Sequence, residues 1–311
     1  MSKTHWRLPA ALFSALLLSS QTSIANSTTL VLNDKDYFEQ QGLNVLVFSN
    51  WYDGLFSDAK TNGLELIHHG LRTATNGDVR LNATPEQWDM TPQFKERKIN
   101  RAEQSIEAFL HYPNEKFDFS IKVTKNQTGV RIAVNLPKPL PSSLEGKAGF
   151  NMEFLPSAYF HQAFMMDTTS GTFPIYPGGA KEINGRAEPT PLATGKHLVL
   201  APNNVERRVS IESNGTPLEL YDGRSKAQNG WFVVRSKIPA GKSGTVIEWQ
   251  LNADTIKDWV RTPVIGHSQV GYHPTQQKVA VIELDKNDKT NPPAKLFKIA
   301  ADGTESLVLE K

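Results

Sequence analysis

Asp53 and Asp58 flank a turn, and Trp51 and Tyr52 stand immediately before it. Inverting hydrolysis of a glycosidic bond needs two carboxyl groups roughly 6.5–9.5 Å apart, one protonated and one ionised. Aromatic rings, for their part, stack on sugar faces through the same apolar contacts that bury rings in protein cores. Trp51, Tyr52 and Asp53 are therefore candidate carbohydrate-binding residues, together with Tyr176, which sits in a Pro/Gly-rich stretch. Trp88, Tyr159, Phe160 and Trp231 are rings of the same kind. Plainer chemistry accounts for the same residues: an Asp-Gly turn with a solvated acid, and rings that simply fill the core.

His68 and His69, with Glu65 nearby, have metal-binding side chains. Successive residues of a strand point to opposite faces, so this pair is expected to place one ring inside and one outside, sharing no metal. His267 and His273 lie further apart, and no Asp-x-Asp-x-Asp cluster suggests bound calcium. The phosphate-binding loop, the dinucleotide fingerprint, Gly-x-Ser-x-Gly and His-Glu-x-x-His are all missing from the sequence. So is cysteine, which excludes disulfides, thiolate metal sites and a Cys nucleophile. The expectation is no catalytic residue, no metal site and no cofactor.

The elements that must position these residues read as mostly β. Asn-Gly pairs begin at Asn62, Asn76, Asn184, Asn214 and Asn229, and Asp-Gly pairs at Asp53, Asp222 and Asp302. Such pairs accept the positive φ of tight hairpin turns. Phe117–Val123 and Val130–Val134 alternate with period two and predict a hairpin. Further strands are expected at His197–Leu200, Val209–Ile211, Leu218–Leu220, Trp231–Val234 and Thr245–Leu251. Short helices are expected at Thr84–Gln87, Asp34–Gln41 and Asp254–Trp259. Pro137–Leu144 and Phe173–Pro191 read as ordered surface loops. A boundary falls near Arg261-Thr262-Pro263.

Length and charge narrow the class. The 311 residues suggest two folded units, and 15 Phe, 7 Tyr and 6 Trp provide large core side chains. Residues 1–25 read as a signal peptide, with Lys3 and Arg7 ahead of the apolar Leu8–Leu18 and the small-x-small site Ser23-Ile24-Ala25. Its removal takes two cations and no carboxylate, which balances the chain's 34 basic and 32 acidic residues. A balanced chain has no electrostatic footprint for nucleic acid. No membrane span is expected after signal removal. The protein is expected to be exported, to a periplasmic, cell-surface or extracellular site.

From Val264 the sequence runs Val-Ile-Gly-His-Ser-Gln-Val-Gly-Tyr-His-Pro, and Lys278-Val-Ala-Val-Ile follows. This segment resembles the opening of the immunoglobulin-like domain that precedes the catalytic module in glycoside hydrolase family 9 cellulases. Asn50–Phe56, Gly70–Val79 and Gly149–Pro156 resemble the all-β region ahead of that module in some bacterial members. The implied fold is mainly β. An N-terminal antiparallel β-sandwich over 26–262 would be followed by an incomplete immunoglobulin-like β-sandwich over 263–311. A full sandwich of that type takes about 100 residues and seven strands, and four candidate strands fit after Val264.

The resemblance implies an accessory or structural part of a secreted, cellulase-like hydrolase that cleaves β-glucan with inversion. Its partner would be a helical catalytic module of the same polypeptide, with β-glucan as a further ligand. The family's catalytic Asp pair and acid Glu have no counterparts in these residues; Asp58-Ala59-Lys60 lacks the second carboxylate. Two alternatives are a carbohydrate-binding β-sandwich module and a surface adhesin without catalysis.

Overall fold

A computed structural model describes residues 29–53, 59–61, 63–85, 90–226, 230–290 and 293–310. They form a mainly β protein built on two nine-stranded sheets in which every pairing is antiparallel. The first sheet runs, in spatial order, Val31–Leu32, Phe38–Gln40, Leu43–Val47, Leu64–His68, Leu71–Arg80, Gly149–Phe154, Phe232–Lys237, Leu218–Asp222 and Pro191–Gly195. In the second the order is Thr169–Thr172, Ala163–Met166, His197–Leu200, Val209–Ser213, Gly244–Ala253, Val130–Leu136, Phe117–Lys125, Ser105–Tyr112 and Gln93–Asn100.

The sheets lie face to face because strands such as Gly149–Phe154, Phe117–Lys125 and Gly244–Ala253 alternate apolar and polar residues, and the apolar faces meet. Phe150, Met152 and Phe154 of the first sheet join Ile132, Val134 and Trp249 of the second in one core. Phe150 and Trp249 meet edge to face at 4.8 Å between ring centroids. Polar bonds also cross the layer: Trp249 Nε1 donates to Ser236 Oγ at 2.9 Å, and the Tyr112 hydroxyl donates to the Val79 carbonyl at 2.7 Å. Buried core residues run from Leu30 to Ala253. The strands from Val264 onward add none.

The expected hairpin of Phe117–Lys125 with Val130–Leu136 forms, with Ser120 opposite Asn135 and Lys125 opposite Val130. The five later strand expectations also match, as strands starting at His197, Val209, Leu218, Phe232 and Gly244. Asn184-Gly185 and Asp302-Gly303 make hairpin turns, each with Gly at positive φ. Other turn expectations are corrected. Asn76-Gly77 lies within the strand Leu71–Arg80, where it makes a bulge with Asn76 at φ 51° and shifts both flanking registers. Asn214-Gly215 links strands of opposite sheets instead of closing a hairpin. Asn62 and Asn229 lie outside the described residues.

Two expected helices are absent, for physical reasons. Within Asp34–Gln41 the Asn33 Oδ1 accepts from the amides of Lys35 and Tyr37, Asp36 turns at φ 62°, and Phe38 is buried in the strand Phe38–Gln40. Within Asp254–Trp259 the backbone bonds that a helix needs go elsewhere. The Ile256 amide donates to His69 Nε2 at 3.1 Å, the Asp254 carbonyl accepts from His68, and Asp258 sits at φ 56°. The helix expected at Thr84–Gln87 reaches beyond the described residues. Of the two expected loops, Pro137–Leu144 ends in the 3-10 turn Ser142–Leu144. Phe173–Pro191 carries the hairpin of Ala180–Ile183 with Arg186–Pro189.

After Pro263 come two separate hairpins, Val264–His267 with Ala280–Glu283 and Lys295–Ile299 with Glu305–Glu310. Every residue of these four strands is exposed. Arg261 ties the first hairpin to the sandwich side through Asp285 and Glu283, and Lys286 reaches Glu39.

Candidate functional site

Alternation that sends Phe150, Met152 and Phe154 into the core sends Asn151 and Glu153 to the opposite face of the first sheet. That outer face is polar, yet much of it is buried. Strand pairing lines up Asp78, Asn151, Arg235 and Glu219 in one row across four strands. The next row holds Thr75, Glu153, Val233 and Tyr221. Asp78, Asn151 and Arg235 expose 4%, 2% and 0% of their surface, and Glu65 and Glu153 only 0% and 5%.

Charged groups at such depth need partners. Glu65 Oε1 accepts from Arg72 Nε at 3.1 Å and from the Thr75 hydroxyl at 3.2 Å, and its other oxygen accepts from Asn50 Nδ2. Glu153 accepts from Asn76 Nδ2 at 2.6 Å. Arg235 donates through Nη2 to the carbonyls of Asn82 and Lys147. Tyr221 donates to Glu219 at 2.9 Å, and burial, aided by that carboxylate, raises its pKa well above the ordinary phenol value. Among the described residues, Asn151 Oδ1 is a buried acceptor with no hydrogen-bond donor.

At one side of this face, a cavity of about 580 Å³ lies between the Asn82–Thr84 segment, the hairpin at Ala180–Pro189 and the side chains of Tyr221, Lys226 and Lys237. Glu188 is held ionised there, below the usual carboxylate range, by the Thr84 hydroxyl and by Lys226. Carboxylates, amides and an arginine on one rigid sheet supply the acceptors and donors that hydroxyl-rich ligands need.

Among the expected site residues, Trp51, Tyr52 and Asp53 form a strand paired with Ala59–Thr61. The structure describes this hairpin by its backbone pairing. Its neighbour Asn50 binds Glu65, so the hairpin begins at the edge of the polar face. Asp58 and Trp88 lie outside the described residues. Tyr176 is 82% exposed and stands apart: the loop bearing it is tied to Asp222 and Arg224 through Gly178, Pro174 and Ile175. Tyr159 belongs to the core, and its hydroxyl donates to the Arg207 carbonyl. Phe160 carries the Arg224 guanidinium 5.0 Å from its ring centre.

The expectation for His68 and His69 is corrected. Both rings are buried and stack at 4.5 Å between centroids, because His69 takes φ 48° at the turn and brings its ring to the same side as its neighbour. They fasten the Asp254–Trp259 segment. Among the described residues no group of three metal-ligating side chains occurs, nor is any helix long and apolar enough to cross a membrane.

Sequence reasoning passed over Asp78, Asn151, Glu153 and Arg235. The alternation in Gly149–Phe154 was a usable signal, since it places two polar residues on one face of a strand whose other face is aromatic and apolar. Two of the stretches that carry the family resemblance, Gly70–Val79 and Gly149–Pro156, pair side by side and supply three of these residues. Compared with known proteins, the chain matches no family and no curated sequence.

Proposed function

We propose that the chain is the accessory, non-catalytic part of an exported, cellulase-like glycoside hydrolase, whose helical catalytic module would cleave β-glucan with inversion. One observation carries this reading. The residues that resemble the family's immunoglobulin-like opening form two bare hairpins whose apolar side chains, among them Ile265, Val281, Leu296, Phe297 and Leu309, face solvent. Patches of that kind mark surfaces that another module covers. Two-stranded hairpins are also marginal in isolation. The coding sequence beyond Lys311 tests the reading. A helical module with an Asp pair and an acid Glu is expected, while a stop codon or further strand repeats would overturn it. The purified chain is expected to release no reducing sugar from soluble β-glucan, and measurable release would contradict its accessory role.

A second reading has its own support. The buried polar rows on the outer face, with the unsatisfied Asn151 acceptor, favour a saccharide-binding sheet. Affinity electrophoresis against a panel of soluble polysaccharides, neutral and acidic, tests it. Retardation in at least one is expected, and none across the panel would remove this reading while leaving the first intact.

A further inference from the structure

The chain's cations and carboxylates nearly balance, but the cavity beside the outer face does not share that balance. Four cations line it, Lys181, Arg186, Lys226 and Lys237, against one lining carboxylate, Glu188. Cross-strand pairing explains how they gather: Lys181 stands opposite Glu188 and Arg186 opposite Ile183, so the hairpin presents these four on one face. Glu182, paired with Ala187, falls on the other face.

Two of the cations are already engaged. Lys226 Nζ lies 3.0 Å from Glu188, and Lys237 Nζ lies 3.6 Å from Glu219. Lys181 and Arg186 form no ion pair among the described residues, and both are exposed at the mouth. Around them the lining is hydroxyl and amide: Asn82, Thr84, Thr190 and Tyr221, with Ile183 as an apolar surface. At about 580 Å³ the cavity has the size of an ordinary small-ligand site.

We propose that this cavity binds the carboxylate-bearing units of an acidic saccharide, with Lys181 and the planar fork of Arg186 clamping the carboxylate. A guanidinium meets a carboxylate with two parallel hydrogen bonds, which fixes orientation as well as charge. The lining hydroxyls and amide take the sugar's hydroxyl groups. This inference deepens the saccharide reading of the outer face, and it names the ligand class.

Calorimetric titration of the full chain with a tri- or tetragalacturonate, a neutral cello-oligosaccharide of equal length, and inorganic phosphate tests it. The acidic oligosaccharide is expected to bind at least about tenfold more tightly than the neutral one, and to weaken as salt rises. The double variant Lys181→Ala/Arg186→Ala is expected to lose about tenfold of that affinity or more, with circular dichroism and thermal midpoint unchanged because both side chains are exposed. Equal affinity for the neutral oligosaccharide would overturn the acidic preference, and an unaltered double variant would overturn the clamp by Lys181 and Arg186. Phosphate binding as tightly as the saccharide would overturn the ligand class. No binding of either oligosaccharide would overturn this inference, and the saccharide reading then stands or falls on the polysaccharide panel.

Discussion

Trp249 shows how much one side chain can hold. It is completely buried, meets Phe150 edge to face, and donates its indole N–H to Ser236 across the layer between the sheets. Trp249→Phe keeps most of the apolar contact but leaves the buried Ser236 oxygen without that donor, at a cost of about 1–3 kcal/mol. Trp249→Ala adds a cavity, for about 3–5 kcal/mol in all. Urea unfolding would measure both, and an unchanged midpoint in either variant would contradict the placement of this ring at the centre of the fold. Gly77 is constrained differently: a Cβ there would meet the Leu64 Cβ at 2.4 Å, closer than side chains ever pack. Gly77→Ala must push the two strands apart at the bulge. It is expected to destabilise by about 2 kcal/mol or more, comparable with overpacking a core, and thermal unfolding would report it. Neither constraint is legible in the residues themselves. A Trp and an Asn-Gly pair read equally well as a ligand platform and a hairpin turn, and only the strands beside them decide.

The turn at His68–Gly70 joins two elements and makes the molecule sensitive to acid. His68 is buried and its Nε2–H donates to the Asp254 carbonyl; burial pulls its pKa down from the ordinary 6.5 to about 4. His69 is lowered too, again chiefly by burial, although its bond to the Glu206 carbonyl opposes the shift. Because the unfolded chain binds the His68 proton more readily, stability from this group is fully present above about pH 6.5. It is lost as pH falls from there toward 4. The loss amounts to about 3 kcal/mol at most. His68→Gln should flatten the dependence of the urea midpoint between pH 7 and pH 4; an equally steep profile in the variant would assign the acid sensitivity elsewhere. The same contacts explain why Asp254–Trp259 is not the helix that its sequence suggests. A short segment has few backbone bonds of its own to lose, so side chains from a neighbouring turn can claim them.

At the scale of the whole molecule, the division lies between a sandwich whose core is closed and two hairpins with none. Phe297, Leu307 and Leu309 sit 44%, 53% and 52% exposed, alongside unpaired strand edges that invite association. The purified chain is expected to self-associate as its concentration rises, read by sedimentation velocity. Replacing these three residues with Ser should abolish the association while leaving the sandwich's thermal midpoint unchanged, because none of them belongs to its core. Association that persists in the triple variant would place the sticky surface elsewhere.

The antiparallel, mainly β character was legible in the sequence because it is written in local alternation and turn chemistry. Phe117–Lys125 with Val130–Leu136, and the strands from His197 to Ala253, follow from those signals alone. Local alternation tells which residues of a strand share a face, but not which strand lies beside it. The row of Asp78, Asn151, Arg235 and Glu219 draws on strands that are far apart in the chain. So does the cationic cavity, where a hairpin near residue 185 meets Thr84 and Lys226. Those neighbours are set by sheet order, which comes from packing one apolar face against another, and so only the tertiary structure decided where the polar chemistry gathers.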